Sequence, residues 1–245
     1  MMRKLVKFGL RSIGVDLQRY STFRRAVELL TMSGEDPFFV QIGANNGIDF
    51  DDMYKIAVSN NLSGIVVEPI SYYFDILKEV YKNHRRITPL QFALHPSDKS
   101  STIFRVDPNK VLFDWQHGVS SFRREHLLKN EVSEDAIVEE QVPCITFGDL
   151  VSGYVPEGRA IDILMTDTEG FDGVILGMVD LERLKPKIIK FESKHLAADA
   201  LAEIRARLTR LAYRMEAGPE DTTAISPDLW RRRSFIKAAM ASPRR

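Results

Sequence analysis

One cysteine in 245 residues, Cys144, excludes an internal disulfide and any multi-cysteine zinc site, and it suits an intracellular, reducing compartment. No apolar run reaches the roughly 20 residues that cross a bilayer. The basic N-terminus lacks the continuous apolar core of a cleaved signal. A cytoplasmic protein is therefore expected. Neither charge is in excess, since 34 Lys and Arg balance 34 Asp and Glu. Internal repeats and low-complexity blocks are also missing. What remains is an apolar fraction of 44% and a charged fraction of 28%, ordinary for a globular chain long enough to bury a full core.

The balanced charge is unevenly placed. Residues 1–25 carry Arg3, Lys4, Lys7, Arg11, Arg19, Arg24 and Arg25 against Asp16 alone, and the tail carries Arg231, Arg232, Arg233, Lys237, Arg244 and Arg245. The body between is acidic. Leu5, Phe8, Leu10, Ile13 and Leu17 recur at roughly helical spacing among the cations. Such a segment can lie on an anionic membrane surface, pack on the body, or pair with a second subunit as a homodimer. The expected organisation is a basic helical segment at 1–36, one domain at 37–228 and a basic tail at 229–245.

Within the body, apolar runs alternate with helical periodicity. Strands are expected at 38–43, 64–68, 87–94, 102–106, 137–145, 161–167 and 186–192, followed by a closing hairpin over 213–225. Helices are expected at 20–32, at 52–60, from a cap at Ser71, at 146–151, after Asp172 and at 197–213. This alternation predicts an α/β fold, a mostly parallel sheet with helices on both faces. Residues 107–135 have no clean period. They hold Trp115, His117, Ser120, Ser121 and Phe122, and long irregular stretches in compact domains are often functional.

The first strand breaks into Gly43-Ala44-Asn45-Asn46-Gly47, where glycine permits a sharp turn and a close ligand approach. About twenty residues later the second strand ends in Glu68-Pro69. A glycine turn followed by a strand-end acid is a nucleoside-binding half-fold, with the acid on the ribose hydroxyls. The third glycine of the dinucleotide fingerprint is missing. That favours a nucleoside without phosphates, with S-adenosylmethionine first among candidates. Three further acids, Asp167, Glu169 and Glu192, and then His195, fall at the same sheet edge. Like charges crowded there call for a cation or a proton-transfer role, and a sulfonium suits them.

These residues resemble the FkbM-type methyltransferases, over roughly residues 37 to 226. The resemblance rests on Ile42-Gly43-Ala44-Asn45-Asn46-Gly47, Gly64-Ile65-Val66-Val67-Glu68-Pro69, Ser120-Ser121-Phe122 with Glu125-His126-Leu127, Val142-Pro143-Cys144-Ile145-Thr146-Phe147, Asp167-Thr168-Glu169-Gly170-Phe171-Asp172, and the run from Lys185 to Glu192 leading to His195-Leu196. It departs at Gln41, where members often carry an acid, and at Met165, where many carry lysine. The resemblance implies a class I Rossmann-like methyltransferase fold, with a seven-stranded sheet and a C-terminal antiparallel hairpin.

It also implies that Gly43, Ala44, Asn45 and Gly47 hold the amino-acid half of S-adenosylmethionine, with Asn45 adding a side-chain hydrogen bond. Glu68 would take the ribose diol with Pro69 beside it, and Phe92 and Ala93 would border the adenine. Asp167 would face both cofactor and acceptor. Asp167, Glu169 and His195 are the catalytic candidates. In one scheme His195 or Asp167 is the base, and in a rival scheme Asp167 and Glu192 hold Mg2+. The implied reaction is O-methylation of a sugar hydroxyl in a glycan, at the inner face of a membrane if the basic segment docks there. A nicotinamide-dependent oxidoreductase and a non-catalytic binding module are the alternatives. Nucleic acid is not an expected partner, because the body is acidic and no Asn/Asp-Pro-Pro-aromatic motif follows the fourth core strand.

Overall fold

The computed structural model describes residues 22–32, 34–49 and 52–232. The amphipathic stretch from Leu5 to Leu17 and the tail beyond Arg232 lie outside the described residues. In chain order the elements are α1 (Thr22–Met32), β1 (Phe38–Ile42), α2 (Asp52–Ser59), β2 (Ser63–Val67), α3 (Ser71–Tyr81), β3 (Ile87–Leu90), β4 (Ala93–Leu94) and β5 (Ser100–Val106). A 3-10 turn at Asp114–Gly118 leads to β6 (Ser120–Ser121), α4 (Arg124–Lys129), β7 (Ile137–Ile145) and α5 (Phe147–Tyr154). Then follow β8 (Ile163–Thr166), α6 (Asp172–Met178), α7 (Leu181–Leu184), β9 (Ile188–Glu192), α8 (Ala198–Arg210), β10 (Arg214–Ala217) and β11 (Asp221–Ile225).

The main sheet has seven strands in the order β10-β11-β9-β8-β1-β2-β3. The run β9-β8-β1-β2-β3 is parallel, and β11 and β10 close the sheet antiparallel. All five residues of β1 are buried, as a central parallel strand covered on both faces requires. Alternation splits them between two layers. Phe38, Val40 and Ile42 join a core cluster with Leu150, Ile175 and Leu208 from α5, α6 and α8. Phe39 joins another with Val27, Met53 and Leu77 from α1, α2 and α3. This is the class I Rossmann-like arrangement expected from the sequence. Leu229 also sits in the second cluster, at 2% exposure.

Two expectations are corrected. The strand expected over 87–94 is two strands. β3 pairs with β2, the chain leaves the sheet at Gln91-Phe92, and β4 pairs with β7 through Ala93 and Cys144. β4, β7, β5 and β6 thereby form a second, smaller sheet. Ser71 does not cap α3. It is the first helical residue, Ile70 holds the cap position without a side-chain bond, and the Ser71 hydroxyl accepts from Gln91 Nε2 at 2.9 Å. By contrast α5 is capped by Thr146 in a reciprocal box with Asp149, which satisfies two amide groups at the helix start.

Candidate active site

The carboxyl ends of β1, β2, β8 and β9 open on a cavity of about 300 Å3. It lies where the strand order reverses, with β2 on one side of β1 and β8 on the other, the usual ligand position in such sheets. Gly43, Ala44, Asn45, Glu68, Pro69, Phe92, Ala93, Asp167, Glu169, Glu192 and His195 all line it. Gly47 does not. A Cβ there would meet the Leu77 side chain at 2.6 Å, and its φ is +76°, so this glycine serves the turn and its packing on α3. Gly43 has φ +80°, and a Cβ there would stand 1.8 Å from the Asp167 carbonyl oxygen. The room it leaves is taken by the crossing β8 loop.

Glu68 braces the turn. Its two carboxylate oxygens accept the N–H groups of Asn45 and Ile70, each at 2.9 Å. Burial nevertheless outweighs those bonds and pushes its carboxyl up to about 7, because a dry site disfavours the charged form. The Asn45 amide is committed to the protein, since Nδ2 donates to the His117 carbonyl at 3.0 Å and Oδ1 accepts the Asn46 N–H at 2.6 Å. Its side chain therefore ties the turn to the 3-10 segment through one of its two Nδ2 hydrogens. Phe92 is packed with Tyr154, ring centroids 5.7 Å apart. Ala93 is a buried β4 residue.

At the other end of the cavity the loop after β8 is held by the wholly buried Asp172. Asp172 accepts from the Thr166 hydroxyl at 2.5 Å and from the Thr168 N–H and hydroxyl at 3.1 and 2.9 Å. This loop places Glu169 in the left-handed region, φ 52°, an uncommon conformation for a non-glycine residue. Glu169 Oε2 stands 3.2 Å from His126 Nε2 and 3.3 Å from His195 Nδ1. His195 Nδ1 also touches Glu192 Oε1, whose other oxygen accepts the Gly170 N–H at 3.2 Å.

The charges respond to this crowding. Burial, then Asp172, Glu192 and Glu169, raise the Asp167 carboxyl well above the usual range. Burial and then Glu169 push Glu192 up to about 7. Burial would also raise Glu169, but the two imidazoles win and hold it low. Glu169, then Glu192, raise His195 against the opposing effect of burial.

The sequence offered no role for three residues found here. His126 reaches the cluster from α4; the sequence set it among the marks of the resemblance, in Glu125-His126-Leu127, without a role. Gln41 Oε1 is buried at the cavity wall without a hydrogen-bond partner; its departure from an acid was visible, its isolation was not. Trp115, 42% exposed, stacks beside Phe113 at the cavity margin, centroids 6.3 Å and planes 7° apart.

No helix among the described residues is long and apolar enough to cross a membrane. Among solved structures, the methyltransferase FkbM from Methylobacillus flagellatus KT aligns at 16% identity and TM-score 0.47, over 78% of this chain and 43% of that one. The chain thus spans less than half of that protein's length. A METTL16 MTase domain aligns at 12% and TM-score 0.42, over 91% and 93%, and a fibrillarin/Nop5p complex at 13% and 0.40, over 86% and 84%. No curated protein sequence matches the chain. The domain described as the methyltransferase FkbM domain matches residues 41–215. The chain belongs to the FkbM methyltransferase family.

Proposed function

We propose that the protein is an S-adenosylmethionine-dependent O-methyltransferase acting on a hydroxyl of a sugar in a glycan, polysaccharide or glycolipid. The observation that carries this reading is a single cavity joining the Glu68-braced turn to an imidazole–carboxylate cluster. The donor fits the first end. Glu68 keeps lone pairs for a ribose diol beyond its two backbone bonds. The orphaned Gln41 oxygen is an acceptor awaiting a cationic donor, and an ammonium supplies one. When bound, S-adenosylmethionine supplies a methyl group already activated by the sulfonium.

The protein's own work is alignment and proton removal. A sugar hydroxyl is a weak acid and needs a base. Asp167, raised by burial and its acidic neighbours, is the proposed proton acceptor, and Glu169 and His195 hold the acceptor hydroxyls. Trp115 and Phe122 offer aromatic faces at the cavity wall, which suit the C–H face of a sugar ring. Magnesium on Asp167 and Glu192 is not part of this proposal. The donor atoms that converge are on His126, Glu169 and His195, and a nitrogen-rich set does not suit a hard ion that prefers oxygen.

Transfer of a labelled methyl group to purified glycans tests the reading, with the product examined by NMR. A new O-methyl ether is expected. Methylation confined to nitrogen or carbon would overturn it. Asp167→Asn is expected to lower kcat by about 10²–10⁴-fold while S-adenosylhomocysteine still binds.

A further inference from the structure

We infer that His126, Glu169 and His195 form a binding site for a divalent first-row transition ion of the zinc or cobalt kind. The three donors come from separate elements, namely α4, the loop after β8 and the segment after β9. Their ligand atoms all lie within 4.8 Å of one another. Two ligands about 2.0–2.1 Å from one ion, set at the tetrahedral angle, stand about 3.3–3.4 Å apart. The separations of Glu169 Oε2 from His126 Nε2 and His195 Nδ1, 3.2 and 3.3 Å, are close to that edge.

The two ring nitrogens have more polar neighbours than bonds to give. Asn130 Nδ2 donates to the His126 carbonyl at 3.0 Å, which fixes the end of the amide that faces the ring. The same nitrogen lies 3.1 Å from His126 Nε2. Nε2 carries either a proton or a lone pair, so it can bond Glu169 or accept from Asn130 but not both. His195 Nδ1 is buried between the Glu169 and Glu192 carboxylates, within ion-pair reach of both. The two rings stand at 90°, centroids 5.1 Å apart. A cation held by the His126 Nε2 and His195 Nδ1 lone pairs would face the Glu169 carboxylate with positive charge, with Asn130 Nδ2 keeping its bond to the His126 carbonyl.

Glu192, fixed by the Gly170 N–H, lies against the His195 Nδ1 that would ligate the ion and adds negative charge beside it. Two imidazoles and a carboxylate select borderline ions over magnesium. Glu169 and His195 line the cavity, so open coordination positions would face the acceptor. The consequence that the ion lowers the pKa of an acceptor hydroxyl rests on the proposed methyl transfer. The site itself does not.

The test is titration of chelator-treated full-length protein with Zn2+ by calorimetry and with Co2+ by visible absorption, without methyl donor. One ion per chain is expected, at micromolar affinity or tighter, with no comparable binding of Mg2+. His126→Ala and His195→Ala should each weaken it by about tenfold or more, while His84→Ala, outside the site, leaves it unchanged. Melting curves check that each variant is folded. An arm without substitutions follows the imidazole NMR signals, where Co2+ should shift those of two of the five histidines most strongly. Less than one ion per chain, or equal uptake by the double variant H126A/H195A, would overturn the inference. S-adenosylhomocysteine binding in the same sample keeps the two readings apart, because the donor can bind a protein that takes up no metal.

Discussion

Glu68 links the stability of the turn to its chemistry. Its carboxylate accepts two backbone N–H groups, and its titration near 7 follows from burial. A ribose diol donates to the ionised form, so donor binding is expected to weaken as pH falls below about 7. Calorimetry of S-adenosylhomocysteine across pH checks this. At pH 8, Glu68→Ala should lower the affinity by about 10–100-fold, the worth of a charge-assisted pair. The stability effect has the opposite pH sense. The folded carboxyl is raised above its ordinary 4.5, so the folded chain binds more protons between 4.5 and 7. Its contribution is full below that window and is lost as pH rises through it, and Glu68→Gln should flatten that slope in urea titrations. Glu68 was legible because a strand-end acid after a glycine turn has a local pattern. The partners of His126 were not, since Glu169 lies 43 residues away in sequence.

Among the elements, the β8–α6 loop is the one that assembles the cluster. Its geometry depends on Asp172, which ties Thr166 and Thr168 beneath Glu169. Asp172→Ala strands these donors in a buried site, at about 2 kcal/mol or more. Gly43→Ala drives a Cβ against the Asp167 carbonyl at a left-handed backbone position, at a further ~2 kcal/mol or more. Urea unfolding measures both. The sequence pattern located the turn and this loop, but it assigned both glycines of the turn to ligand approach. It could not show that one is needed for the crossing of two loops and the other for packing on α3. The break between β3 and β4 was also hidden, because the pairing partner of β4 lies about fifty residues on.

For the whole molecule, alternating strands and helices were enough to predict the parallel sheet and its closing hairpin. The assignment of β5 and β7 to a second sheet was not readable, since pairing such as Ile103 with Glu140 leaves no mark on periodicity. The expected boundary after residue 228 falls inside the packed body, where Leu229 is buried beside α1 and β1 residues. Leu229→Ala should therefore cost about 2–4 kcal/mol, read as a lowered urea midpoint. The same packing holds the strand ends in register around the cavity, and on that register the functional reading depends. A crystal structure of the protein soaked with S-adenosylhomocysteine tests it most directly. The account expects the ribose hydroxyls on the Glu68 carboxylate and the sulfur turned toward Asp167. A ribose bound away from Glu68, or a cavity that stays closed to the ligand, would contradict it.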